Sequence, residues 1–129
     1  QNSNENGYQK FLRQHYDNPK TSNNNYCNAM MEMRCMTNLD PPAVNKCKEK
    51  NTFIHSTKNQ IIAVCDKAGV PLGGNLRRST KPFSVSTCKI HGDPNVHPCK
   101  YRGGGRDTRQ IVIACENRLP VHLDETQIP

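Results

Sequence analysis

Cys47-Lys48-Glu49-Lys50-Asn51-Thr52-Phe53 puts a cysteine, a lysine and a hydroxyl side chain within seven residues. If the cysteine is bridged, Lys48 becomes a restrained cation at the entrance to Thr52-Phe53-Ile54, which reads as a strand. Outward from this stretch, Phe11-Leu12-Arg13-Gln14-His15 carries a histidine near the start, and Leu119-Pro120-Val121-His122-Leu123-Asp124 carries another near the end. These groups act together only if the fold brings both ends of the chain to the middle.

A chain of 129 residues fits one domain, 1–129, but with 33% hydrophobic residues and no Trp its core is modest. Seven cysteines and a mean hydropathy of -0.85 point to a secreted, disulfide-stapled domain in an oxidising compartment. The cysteines at 27, 35, 47, 65, 88, 99 and 115 are too far apart for the close pairs of zinc sites, so no metal is expected. Counting alone leaves seven choices of leftover thiol, each with fifteen pairings of the other six.

The net charge of +7 and pI near 9.2 attract polyanions: RNA, heparin-like chains or acidic membranes. The same surplus also serves solubility alone. No apolar run is long enough to span a bilayer and no signal peptide is seen, so the numbering is expected to start at a mature N-terminus, with Gln1 able to cyclise. No Asn-x-Ser/Thr sequon occurs.

Residues 1–7 are polar and expected to be loose. Tyr8, Phe11, Leu12 and His15 recur at helical spacing, which turns His15 inward with the apolar stripe. Alone, such a histidine is more often a core residue than a catalyst. Residues 17–25 read as a loop and Tyr26 to Met36 as a Met-rich helix, stopped by Asn38-Leu39-Asp40-Pro41-Pro42. Strand-like runs follow at Thr52–Ile54, Ile61–Val64, Phe83–Thr87 and Ile111–Ala114, although Asn59 to Val64 reads equally as a short third helix. Val70–Asn75 and Arg102–Arg106 read as loops, the second a mobile basic hairpin end. Helices first and strands after predict an α+β fold with an antiparallel sheet.

The Cys-Lys-x-x-Asn-Thr-Phe motif, flanked in order by the two histidine segments, resembles the pancreatic ribonuclease family. Cys115-Glu116-Asn117-Arg118-Leu119-Pro120-Val121-His122-Leu123-Asp124 resembles its angiogenin branch most, and the similarity runs from Tyr8 to about Glu125. The resemblance implies three short helices on a bent, V-shaped antiparallel sheet. It also implies bridges Cys27-Cys88, Cys47-Cys99 and Cys65-Cys115, which leave Cys35 outside the pairing, either as a small buried residue or as a thiol for dimerisation.

The activity it implies is secreted, cofactor-independent cleavage of single-stranded RNA after pyrimidines. Here the 2'-hydroxyl is the nucleophile and two imidazoles handle protons, His15 as base and His122 as acid. Lys48 steadies the charge on the phosphorane-like transition state. Gln14 contacts the scissile phosphate, Asn51 frames the site, Thr52 reads the pyrimidine edge, and Leu123 lies with the substrate-binding residues. Lys10 and Arg13 match positions that hold a neighbouring phosphate. In a strand His122 and Asp124 share a face, so Asp124 is expected to orient the ring; without the rest of the constellation they read as a surface pair. Phe53 reads as core, and His55, His91 and His97 as surface or structural residues. Expected partners are RNA, anionic cell-surface or bacterial envelope components and a cytosolic ribonuclease inhibitor, with the chain a monomer.

Two departures bear on function. Cys65-Asp66-Lys67-Ala68-Gly69-Val70-Pro71-Leu72 lacks the extra disulfide loop of the digestive enzymes, and Glu125 can fold across the pyrimidine pocket toward Thr52, so slow turnover is expected. Glu32-Met33-Arg34-Cys35 offers a single Arg where angiogenins carry the basic cluster for nuclear entry, and residues 37–46 are long and Pro-rich, with room to shift Lys48. Two other function classes remain beside the enzyme: an angiogenin-type signalling ligand contacting cells through residues 66–76, and a cationic antimicrobial protein.

Overall fold

The structure, a computed structural model, describes residues 4–38 and 45–129. Helices α1 (Gly7–His15) and α2 (Tyr26–Met33) precede strand β1 (Lys50–Ile54) and helix α3 (Lys58–Ala63). Six strands follow: β2 (Gly69–Gly73), β3 (Leu76–Ser79), β4 (Phe83–Ile90), β5 (Tyr101–Arg109), β6 (Val112–Glu116) and β7 (Leu119–Leu123). A 3-10 turn, Glu125–Gln127, comes last. The fold is α+β. Its antiparallel strands form two hydrogen-bonded sheets, ordered β1-β4-β5 and β2-β3-β6-β7.

Helix α1 starts at a capping box in which Asn6 accepts from the Gln9 amide at 2.8 Å and Gln9 accepts from the Asn6 amide at 2.9 Å. Its far end is closed by another helix's segment. Arg34 Nη1 donates to the carbonyls of Leu12, Arg13 and Tyr16 at 3.2, 2.9 and 2.6 Å, where the end of a helix runs short of amide donors, although Leu12 O also takes the Tyr16 amide. The segment with two possible readings is helix α3, because Thr57 and Gln60 form a second capping box and Ile61 and Val64 turn one face into the core. Helix α2 stops at Met33, short of the expected Met36, and Cys35 just beyond has a left-handed φ of 63°. The Leu39-Asp40-Pro41-Pro42 stop signal lies outside the described residues, as do positions 39–44 of the long Pro-rich segment.

Two segments read as loops are strands. Val70 to Gly73 belongs to β2, the edge of the four-stranded sheet, and Arg102 to Arg106 lies inside β5. The glycines of β5 serve close approach rather than a turn: a Cβ on Gly103 would meet Thr87 O at 2.5 Å, and one on Gly104 would meet Cys27 Sγ at 3.0 Å.

Two apolar clusters fill the interior. One joins Phe11, Ile54, Ile61, Val85, Ile113, Leu123 and Ile128; the other joins Tyr26, Met30, Met31, Met36, Phe53 and Tyr101 around Cys27 and Cys88. Phe53 is core, as expected. The three bridges are Cys27–Cys88, Cys47–Cys99 and Cys65–Cys115, and Cys35, outside them, is half-buried. Each closes a loop of at least 50 residues, and loops of that size give a bridge roughly 4 kcal/mol in the chain-entropy view.

Because Arg34 closes the end of α1, Arg34→Ala should cost about 2 kcal/mol in urea unfolding, the range for charged hydrogen bonds. It should also speed exchange of the Tyr16 amide, which bonds Leu12 O at 3.0 Å. Unchanged exchange there would refute the role of Arg34 as the stop of α1.

Candidate active site

The site is built on β1, whose residues Asn51 and Thr52 are fully buried. Asn51 Nδ2 donates to Gln14 O at 2.8 Å, while its Oδ1 accepts from Lys48 Nζ at 2.7 Å. One amide thus ties the end of α1 to the lysine. The Thr52 carbonyl accepts from His15 Nδ1 at 2.8 Å. A carbonyl cannot donate, so Nδ1 carries the proton and the neutral ring keeps its lone pair on Nε2.

Burial pushes the His15 pKa down to about 3; the charges of Lys48, His122 and Arg13 press the same way, against the Thr52 hydrogen bond. The ring is therefore neutral at ordinary pH. Burial also lowers the pKa of Lys48, and the Glu125 carboxylate offsets part of that effect. His122, on β7 at the other end of the chain, is exposed, and its charge reaches both His15 and Asp124.

The carboxylate of Glu125 fills the space between these groups. Its Oε2 accepts from the Thr52 amide at 2.9 Å and its Oε1 from Thr52 Oγ1 at 2.7 Å. The same Oε2 stands 3.8 Å from His15 Nδ1 and 3.8 Å from Lys48 Nζ. Glu125 thus lies on the donors of Thr52, as the sequence suggested. Thr87 Oγ1 meets Thr52 Oγ1 at 3.0 Å from the neighbouring strand.

Several site residues stand differently from expectation. Asp124 lies beyond the end of β7, where the chain enters the 3-10 turn, and its carboxylate accepts from Thr126 Oγ1 at 2.6 Å and Thr126 N at 3.1 Å. Those bonds, with the Thr126 hydroxyl foremost, hold its pKa below the usual carboxylate range. Among the described residues it makes no hydrogen bond to His122, so the expected orienting contact is absent. The Leu123 side chain is buried in the core beside Phe11, which removes it from any substrate surface. The Arg13 guanidinium pairs with both Glu5 oxygens at 2.8 and 3.0 Å and donates to Arg34 O at 2.8 Å. It braces α1, while Lys10 stays exposed. Gln14 is half-buried and meets the site through its carbonyl.

Sequence reasoning passes over Lys50, although it is in the motif and two positions from Thr52, hence on the same face of β1. Its Nζ donates to Glu125 O at 3.0 Å and to Ile128 O. Thr87 escapes such reasoning as well; only the pairing of β1 with β4 sets it opposite Thr52. His55 is structural: it is buried, with Nδ1 on Asp17 O at 2.7 Å and Nε2 on Ser86 Oγ at 2.8 Å. Among the described residues one group has metal-ligand spacing, Cys47, His97 and Cys99, and its two sulfurs are bonded to each other.

Burial lowers the pKa of both His15 and His55. In the unfolded chain both histidines take up protons near 6.5, whereas folded His15 resists until about 3, so between these values the unfolded state binds more protons. Stability should therefore fall as pH drops from about 6.5 toward 3. Thermal melts across this window should show the loss, and His15→Gln should make it shallower; a variant with the slope of the wild type would refute this.

The family model for pancreatic ribonuclease matches residues 6–124. An angiogenin of Papio hamadryas is 48% identical over 121 residues, 92% of this chain and 77% of that protein. A ribonuclease of Chelonia mydas is 46% identical over 91% of this chain and 95% of its own. Among solved structures, green turtle egg white ribonuclease superposes with a TM-score of 0.82 at 46% identity, covering 93% of this chain and 98% of the other. Zebrafish RNase5 gives 0.78 at 43% identity, covering 92% and 93%. With its family-model match, its relatives and its three bridges, the chain belongs to the pancreatic ribonuclease family, on the angiogenin-like side.

Proposed function

We propose that this protein is a secreted endoribonuclease of low turnover that cleaves single-stranded RNA on the 3' side of pyrimidines. The observation that carries the reading is one oxygen, Glu125 Oε2, which lies against the Thr52 amide, the His15 ring and the Lys48 ammonium at once. The imidazole of His15, through its Nδ1 edge, a cation and the Thr52 amide thus all stand within 3.8 Å of one atom.

In the proposed reaction, His15 Nε2 takes the proton of the 2'-hydroxyl as O2' bonds to phosphorus. The P–O5' bond breaks, and protonated His122 gives its proton to the departing oxygen, leaving a 2',3'-cyclic phosphate. Two such transfers are each worth about 10²- to 10⁴-fold. Lys48 is held by Asn51 at 2.7 Å and faces the charge that builds on the non-bridging oxygens. Thr52 offers an amide donor and a hydroxyl that donates or accepts, a pair suited to a pyrimidine edge.

Low turnover follows from Glu125, which occupies both Thr52 groups and sets a negative charge where a phosphate must approach. The blocked pocket and the angiogenin relatives favour one further reading, a signalling ligand in which weak cleavage is needed and a cell-surface contact sets the biology. The three bridges suit an oxidising extracellular setting, and no helix among the described residues is long and apolar enough to cross a membrane.

His122→Ala should abolish tRNA cleavage, while cleavage by the wild type should persist in EDTA. Glu125→Ala should raise the cleavage of cytidylyl-adenosine roughly tenfold, the worth of a charged hydrogen bond at the pocket. Activity that a chelator removes, or that survives His122→Ala, would overturn the mechanism; full bactericidal action in that variant would favour cationic host defence.

A further inference from the structure

Lys50 and the strap that carries Glu125 are joined by contacts that the catalytic reading does not use. The chain after β7 runs through the 3-10 turn Glu125–Gln127 to Ile128, whose side chain is buried in the core. Lys50 Nζ bonds the carbonyls of Glu125 and Ile128, the start of that turn and the residue just past its end. One ammonium therefore pins the backbone that carries the blocking carboxylate.

Lys50 also stands in a row of like charges. In the register of the sheet it is opposite Lys89, and Lys89 is opposite Arg102, so the three cations share one face. Like charges directly opposite each other are unfavourable. Among the described residues, neither the Lys89 ammonium nor the Arg102 guanidinium has a hydrogen bond or ion pair. Both line an open cleft of about 360 Å³ with Thr87, the Gly103–Gly105 backbone, Pro129 and Asp107. The one side-chain carboxylate there, Asp107, is bonded to Arg109 at 2.8 Å. The cleft abuts the pyrimidine pocket, because Thr87 also touches Thr52.

We propose that Lys50 is the positioning residue that holds the pocket shut, and that a phosphate of single-stranded RNA entering the Lys89–Arg102 cleft draws its ammonium off the strap and frees Glu125 from Thr52. The proposal rests on the reading of Glu125 as the block of a ribonuclease pocket. It implies that the substrate class is RNA long enough to set a base against Thr52 and a further phosphate in the cleft beside it.

The test uses the whole protein labelled with nitrogen-15 and a tetrathymidylate, which lacks the 2'-hydroxyl and cannot be cleaved. Backbone order of residues 125–128 is followed with and without it in the wild type, Lys50→Met and Lys50→Arg. The wild-type strap should loosen on saturation; the strap of Lys50→Met should be loose from the start, and Lys50→Arg, which keeps donors, should resemble the wild type. In parallel, Lys50→Met should raise cleavage of cytidylyl-adenosine about tenfold and do nothing further in a Glu125→Ala background. A strap that stays ordered with the tetramer bound, a Lys50→Met strap as rigid as the wild type, absence of tetramer binding, or equal effects in both backgrounds would overturn the proposal. If no variant cleaves RNA at all, the ribonuclease reading fails, while the order measurements still decide the part played by Lys50.

Discussion

The seam between α1 and β1 is the constraint on which the site depends. Three side chains cross or brace it: His15 on the Thr52 carbonyl, Asn51 on the Gln14 carbonyl, and Arg34 on the carbonyls that end α1. His15 and Asn51 are buried and satisfied there, so losing one partner exposes the desolvation cost of the other. The apolar side of the same seam is Phe11 against the cluster containing Ile54 and Leu123. Chemistry and stability are thus joined in one contact surface, since the histidine proposed as the base also completes a hydrogen bond that seats its helix.

Much of this was legible in the sequence because its signals are local or come as a set. The spacing of Tyr8, Phe11, Leu12 and His15 marks α1 and the inward ring, and the motif from Cys47 to Phe53, with both histidine segments, marks the family and the bridges. The errors have physical causes. Glycines in Arg102–Arg106 read as a mobile turn, yet they are there because Thr87 and Cys27 press against the β5 backbone, a contact between strands distant in sequence. Asp124 reads as a partner of His122 only if β7 continues; the chain leaves the strand after Leu123, and the carboxylate caps the 3-10 turn. Arg13 reads as a phosphate ligand until Glu5, a turn and more away, claims its guanidinium. Lys50 reads as one lysine among many because the strap that it meets lies 75 residues on.

The electrostatics of the site divide into groups held by burial and groups held by partners. His15 is kept neutral mainly by burial, and the nearby cations strengthen that. Asp17 shows the opposite balance: burial would raise its pKa, but bonds from Tyr26 and Thr21 outweigh it, and the carboxylate stays ionised in the interior. That anion sits among Tyr26, His55 and Arg34.

In the proposed reaction Glu125 acts as a different kind of inhibitor from a neutral side chain in the same place. A neutral amide could offer an acceptor to the Thr52 amide, but a carboxylate adds full charge, which strengthens its hold on Thr52 and draws it toward Lys48 at 3.8 Å. The same charge occupies the cation that the transition state needs, so the closed state removes base recognition and phosphate stabilisation together. It also makes the block reversible by the right competitor. A phosphodiester matches the single negative charge of a carboxylate, and several along a strand release bound counterions as they arrive. A neutral pyrimidine edge alone must displace the carboxylate from Thr52 with weaker hydrogen bonds. The energetic advantage therefore lies with a polyanion over a single base, which makes the length and charge of the incoming strand the natural determinant of access to this pocket.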